Sequence, residues 1–279
     1  HFANRSPAET AFVGRRDDLA WLDEFAERTR RGQPHVVLLL GEAGIGKSRL
    51  IGELGSRAHR RHTDVLLGRS REGEDVLPFA PWIEALRPAL SRELFDRLPA
   101  VTRTDLTRLF VEFAEQTIPP STGIDDGPRI FEAVARLLGE LSASRPVIVV
   151  LEDLHWGDDM TVRLLRFLPR RLEGRRVLLI GTARPEDMAD RPERTAQLDI
   201  LRHDPSCASR NLTPLSRDEV KDLFFALASR ADTSSDILLD RVWEISEGNP
   251  FVVVECARAV RERPAHASDR ILDLPEGVR

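Results

Sequence analysis

Residues 41–48 read Gly41-Glu-Ala-Gly-Ile-Gly46-Lys47-Ser48, a GxxxxGKS run set between an apolar hexamer and a stretch with helical spacing. No bulky side chain stands where an anion must sit. The main-chain amides of Glu42, Ala43, Gly44, Ile45 and Gly46 can therefore curl into a concave nest for phosphate oxygens, and a helix opening behind them adds positive potential. Lys47 then reaches the β and γ phosphates, Ser48 ligates Mg²⁺, and Arg49 follows among the nucleotide contacts. Lys47 and Lys221 are the only lysines among 41 basic residues. Arginine cannot copy a compact ammonium on a flexible stem, which makes the lysine at position 47 informative.

About a hundred residues on, the apolar run from Pro146 to Leu151 ends in two carboxylates, Glu152 and Asp153. At the C-terminal end of a parallel strand they face the same crevice as the phosphate loop. One of them can hold Mg²⁺ through its water while the other polarises the attacking water, and the sequence leaves open which does which. A third run, Val177-Leu-Leu-Ile180, leads into Gly181-Thr-Ala-Arg184. There Arg184 can reach the γ phosphate and report its presence, with a plain surface role as the competing reading.

These groups must be positioned by strands alternating with helices. Short continuous apolar runs at 35–40, 64–67, 147–151 and 177–180 read as strands buried on both faces. Between them lie helical patterns: Leu19, Leu22, Phe25 and Ala26 after the lead-in Phe12-Val13-Gly14-Arg15, and Ile130, Phe131, Val134, Leu137, Leu138 and Leu141. Alternation of this kind implies crossover connections and a parallel sheet. After Leu212-Thr-Pro214 only helices follow. Ser216 and Glu219 have capping-box spacing, with Leu215 and Val220 placed as a staple. A second helix over 236–247 stops at Gly248, and Asn249-Pro250 opens a third, although Val252-Val-Val254 suits a strand equally well on propensity.

The 279 residues suit two packed units rather than one core. With 41% apolar and 31% charged residues the composition is that of a folded globular chain and excludes a disordered or fibrous one. A net charge of −5 argues against direct nucleic-acid contact by this segment, and no apolar run is long enough for a bilayer. Cys207 and Cys256 sit in no CxxC or Cys/His pattern, which points away from zinc and disulfides and towards a cytoplasmic setting. The first residues, His1 to Pro7, lack the features of a secretory signal and begin without methionine, so a piece trimmed from a longer chain is expected. His59 and His62 have no third metal partner and read as a solvated basic face. Arg170-Arg171 and Arg175-Arg176 read as a charged helix end and loop, and His155-Trp156 as packing.

Phe12-Val-Gly-Arg15, the GxxxxGKS loop, Leu151-Glu-Asp-Leu-His-Trp156-Gly-Asp158, Gly181-Thr-Ala-Arg184, Leu212-Thr-Pro-Leu215 and Ser246-Glu-Gly-Asn-Pro-Phe251 occur in an order and spacing that resembles the STAND signal-transduction ATPases. Within that class the chain is most similar to the AAA-like modules of large ATP-binding LuxR-type regulators and of some bacterial nucleotide cyclases. The resemblance covers nearly the whole chain, and LEDLHWGD together with GNPF is its most specific part. It implies an ATP/ADP switch with Mg²⁺. Val13, Gly14 and Arg15 would lie near the adenine, Pro250 would pack on the base from a helical lid, and Arg184 would act as a sensor. Glu152 stands where many relatives carry the metal-binding aspartate. The end, Leu274 to Arg279, resembles the start of a winged-helix domain, so winged-helix and sensor domains of the same protein are expected partners beyond this segment.

The fold class expected is α/β, a parallel-sheet P-loop domain over 1–213 followed by a smaller all-helical lid over 214–265 and a linker over 266–279. The activity expected is slow, regulatory ATP hydrolysis by Asp153, Arg184 and Lys47, with ATP-dependent self-association. The rival readings are a ring-forming AAA+ ATPase of the clamp-loader or helicase-loader type and a small-molecule phosphotransferase.

Overall fold

The computed structural model describes residues 12–73, 77–114, 127–188, 192–228 and 236–261. Within them, β1 (His35–Leu40), β2 (Asp64–Arg69), β3 (Val147–Glu152), β4 (Val177–Ala183) and β5 (Cys207–Asn211) form one sheet in the order β2-β3-β4-β1-β5. Every pairing is parallel. Every residue of β3 and β4 is buried, and so is β1 after its first residue, as continuous apolar strands require when helices cover both faces.

Successive side chains of a strand point to opposite faces, so each strand feeds two cores. On one face Val37, Leu39, Ile148 and Val150 pack with Leu22 of α1 (Arg16–Arg30) and with Leu50 and Leu54 of α2 (Lys47–Arg60). On the other, Val36, Leu38, Val149 and Leu179 pack with Trp82 of α3 (Ala80–Leu86), Leu137 of α6 (Gly127–Ser144) and Leu165 of α7 (Asp159–Arg171). The short helices α4 (Arg92–Arg97) and α5 (Ala100–Leu106) add Leu94, Phe95 and Leu106 to that second core, and α8 (Pro192–Arg202) adds Leu198 and Leu201.

The strands run further than their apolar runs, through Arg69, Glu152 and Ala183, and this carries charged side chains onto the C-terminal edge of the sheet. Strand β5, Cys-Ala-Ser-Arg-Asn, is absent from the sequence reading. It is an edge strand with no fully buried residue, so no apolar run marks it.

Three helices follow: α9 (Arg217–Leu227), α10 (Asp236–Ser246) and α11 (Pro250–Arg261), packed around Val220, Phe224, Val242, Val253 and Cys256. The capping box forms as spaced: Ser216 N–H donates to Glu219 Oε2 at 2.8 Å, and Glu219 N–H donates to Ser216 Oγ at 3.3 Å. Such a cap stabilises a helix by about 1 kcal/mol. The staple pair, Leu215 and Val220, shares this core. Gly248 takes φ +83°, where a Cβ would lie 2.4 Å from the Leu215 carbonyl oxygen. Residues 252–254 are helical, because Val253, Cys256 and Ala257 bury one helix face after Pro250. Among the described residues no helix is long and apolar enough to cross a membrane. The linker expected over 266–279, with its winged-helix resemblance, lies outside the described residues.

Candidate functional site

The turn after β1 delivers the GxxxxGKS run to the sheet edge, with α2 starting at Lys47. Gly44 takes φ +74° and lies under the first turn of α11, where a Cβ would stand 2.8 Å from Phe251 Cβ and 2.9 Å from Asn249 Oδ1. Only a residue without a side chain permits that approach. Lys47 is buried. Its Nζ donates to the Glu42 carbonyl at 2.9 Å and to the Gly41 carbonyl. Burial lowers its pKa, as does the neighbouring Arg184, against the pull of Glu186, Asp153 and Asp187.

The cleft above the loop has a volume of about 510 Å³, within the ordinary range for a small-molecule site. Gly44, Ile45, Gly46, Lys47, Ser48 and Arg49 form one wall. Asp153 and Arg184 stand at the strand ends, and Val13, Arg15 and Pro250 close the other side. Gly14 lies on an adjoining cleft beside Glu219. Glu42 and Ala43 act through the main chain, Glu42 as acceptor for Lys47 and Ala43 as donor to Glu186 Oε1 at 3.1 Å.

Of the two acids, only Asp153 lines the cleft. Its backbone is left-handed at φ +60° and its N–H donates to Thr182 Oγ1 at 3.0 Å, an uncommon conformation held by the adjacent strand end. Burial raises its pKa, and the Arg184 charge opposes this. Glu152 is buried and its Oε2 accepts from Arg69 Nε at 3.1 Å and from Nη2. Arg184 Nη1 donates to Asp187 Oδ2 at 3.4 Å, and its main-chain N–H donates to Nδ1 of His155 at 3.4 Å. His155 is fully buried, which with Arg184 nearby pushes its pKa down to about 4 and keeps the ring neutral at pH 7. It packs against Trp156 and also props the main chain of Arg184.

Sequence reasoning named Arg15, Glu219 and Asn249 but missed the contacts by which they join the cleft's parts. Asn249 Nδ2 donates to the Ala43 carbonyl at 3.0 Å, and Arg15 N–H donates to Glu219 Oε1 at 3.2 Å. The Arg15 guanidinium also donates to the Ile45 carbonyl at 2.8 Å. Arg69 lines the cleft beside Asp153. The signal for Arg69 lay in Gly68-Arg69 continuing β2, since the in-register neighbour of Arg69 on β3 is Glu152. His59 and His62 are exposed, and no cluster of three or more metal-binding side chains exists among the described residues.

The glycine loop, its lysine and the acid at the next strand end coincide with a family match: the model of the AAA ATPase domain covers residues 11–180. The chain belongs to the AAA ATPase domain family. An uncharacterized protein of Rhizobium meliloti (strain 1021) is 27% identical over 191 residues, which is 62% of this chain and 18% of that protein. The Drosophila ORC bound to DNA aligns with 93% of this chain and 62% of its own, at a TM-score of 0.54 and 12% identity, a likeness of fold. The Aeropyrum pernix ORC1 protein in complex with DNA aligns with 94% of this chain and 64% of its own, at a TM-score of 0.48 and 16% identity. This AAA-type ATPase chain thus spans less than two thirds of the proteins it matches. Arg184 and helices α9 to α11 lie C-terminal to the family match.

Proposed function

We propose that this chain is an ATP-hydrolysing conformational switch, the nucleotide-sensing module of a larger regulatory protein of the STAND type. The P-loop unit over 1–213 holds the nucleotide and the helical unit over 214–265 acts as its lid. The observation that carries this reading is that one cleft takes its walls from both units, with Pro250 and Phe251 opposite Lys47 and Ser48. Asn249 Nδ2 donates to the Ala43 carbonyl of the loop, and Arg15, whose guanidinium donates to the Ile45 carbonyl, donates its main-chain N–H to Glu219 on the lid. A change at the phosphates is thereby mechanically adjacent to the lid.

The residues present fit the ligand. Gly44 leaves no Cβ between loop and lid, and Lys47 can exchange its two carbonyl acceptors for phosphate oxygens. The Ser48 hydroxyl and the Asp153 carboxylate suit a hard cation that keeps most of its waters. Mg²⁺ held there would neutralise charge on the β and γ oxygens. Asp153, on the cleft wall, serves through one of those waters to polarise the attacking water. Arg184 leaves Asp187 for the γ phosphate, and the lid angle follows, since Glu186 of the same turn bonds Ala43 of the loop. Val13 and Arg15 face the base together with Pro250.

Calorimetry of ADP and ATP·Mg²⁺ binding tests the assignment. The wild type binds both, and Lys47→Ala loses measurable affinity. Unchanged affinity in that variant removes the phosphate-loop assignment. Size measurement with and without ATP tests the expected self-association, and assembly into a closed ring of fixed stoichiometry would favour the rival AAA+ reading.

A further inference from the structure

Across the sheet edge the strand order sets four chain ends side by side: β2 with Arg69, β3 with Asp153, β4 with Arg184, and β1 with the phosphate loop. Two arginines therefore flank Asp153, one from each neighbouring strand end. Both line the cleft together with Lys47.

The Arg69–Glu152 pair is asymmetric. The glutamate side chain is 4% exposed and away from the cleft wall, whereas the arginine side chain is 31% exposed and on it. The two residues are register neighbours in the parallel ladder, and the turn after Arg69 is pinned by Ser70 N–H donating to the Glu152 carbonyl at 3.0 Å. Arg69 N–H donates to Glu84 Oε2 at 3.0 Å, which fixes the backbone from the α3 side. Arg69 Nε and Nη2 both go to Glu152 Oε2, and Nη1 has no partner among the described residues. A carboxylate held on one edge of a guanidinium fixes its plane and leaves the opposite edge free as a donor.

We propose that Arg69 is a second in-chain contact for the terminal phosphate of ATP, and that Glu152 is its positioning residue rather than a metal ligand. This rests on the nucleotide-binding reading above and extends it. Arg69 supplies from within the chain the positive charge that some phosphoryl-transfer proteins take from a partner's arginine, and Glu152 keeps the fork aimed at the cleft. The competing explanation is that Arg69 only neutralises a buried acid. It predicts that removing both members leaves discrimination between nucleotides untouched.

The experiment is titration of ADP and of the slowly hydrolysed analogue ATPγS, with Mg²⁺, into the wild type, Arg69→Ala, Glu152→Gln and the double variant Arg69→Met with Glu152→Met. The double variant strands no buried charge, so it keeps the test open should the single variants fold poorly. In Arg69→Ala and in the double variant ATPγS affinity falls at least about tenfold while ADP affinity stays within about twofold. Glu152→Gln weakens ATPγS by a smaller factor and leaves the Mg²⁺ dependence of ADP binding unchanged. An unaltered ATPγS-to-ADP ratio in the double variant overturns the role of Arg69. A Glu152→Gln variant whose ADP binding demands more Mg²⁺ overturns the role of Glu152. A wild type that binds neither nucleotide overturns the nucleotide reading itself, so the failures are distinguishable.

Discussion

Gly44→Ala separates the strain of the phosphate loop from the docking of the helices upon it. The new methyl meets Phe251 Cβ at 2.8 Å and Asn249 Oδ1 at 2.9 Å, both fixed near the start of α11, so one side must move. The left-handed φ of +74° costs an alanine about 1–2 kcal/mol, a cost the loop carries whether the lid is docked or not. The docked state alone suffers the contact and loses the Asn249–Ala43 bond. Overlap of about 1–2 kcal/mol and a net hydrogen bond of about 1 kcal/mol give roughly 2–3 kcal/mol, or about 30- to 150-fold in the docking equilibrium. Gly46→Ala is the control, because φ +103° strains the loop equally or more while the nearest lid atom, Pro250 Cγ, is 3.9 Å away. Hydrogen exchange at the Arg15 N–H, which docking buries against Glu219, reads the equilibrium. Faster exchange in Gly44→Ala than in Gly46→Ala is expected, and equal exchange in the two variants refutes the reasoning.

Other perturbations address the chemistry and the latch. Asp153→Asn keeps ATP bound and lowers phosphate release by about 100-fold or more, measured in single turnover; surviving turnover removes Asp153 from the water-polarising role. Glu219 is pushed up by burial, but hydrogen bonds from Ser216 and Arg15 outweigh this and hold its pKa below the usual carboxylate value. Its contribution to stability is therefore present above about pH 4.3, the unfolded value, and is lost as the pH falls through the lower folded value. Melting temperatures of the wild type and Glu219→Gln should differ most near neutral pH and converge in acid, and a gap that widens on acidification contradicts this assignment.

Much of the fold was legible because burial writes itself into sequence locally. β1 and β3 are covered on both faces and so appear as unbroken apolar runs, and the Ser216 cap is a matter of three-residue spacing. β5 was hidden because an edge strand with half-buried positions can be built from Cys, Ala, Ser, Arg and Asn. The site divides the same way. The glycine loop is contiguous, so its residues could be named, whereas the partner of Arg69 is 83 residues away in the chain and appears only once the sheet register is known. The choice between Glu152 and Asp153 was likewise open in sequence, since β3 ends at Glu152 and only the left-handed turn at Asp153, held by Thr182, shows which of the two reaches the cleft. Asn249 was read as a helix cap. Its Oδ1 does accept from Phe251 N–H at 3.0 Å, but its amide also reaches Ala43, a contact of tertiary origin.

A switch of this kind requires the lid to distinguish a triphosphate from a diphosphate. Hydrogen exchange at the Arg15 and Phe251 amides, compared at saturating ADP·Mg²⁺ and saturating ATPγS·Mg²⁺, measures this directly. The predicted result is a reproducible difference between the two states that vanishes in Arg184→Ala. Superimposable exchange with both nucleotides bound would contradict a switch.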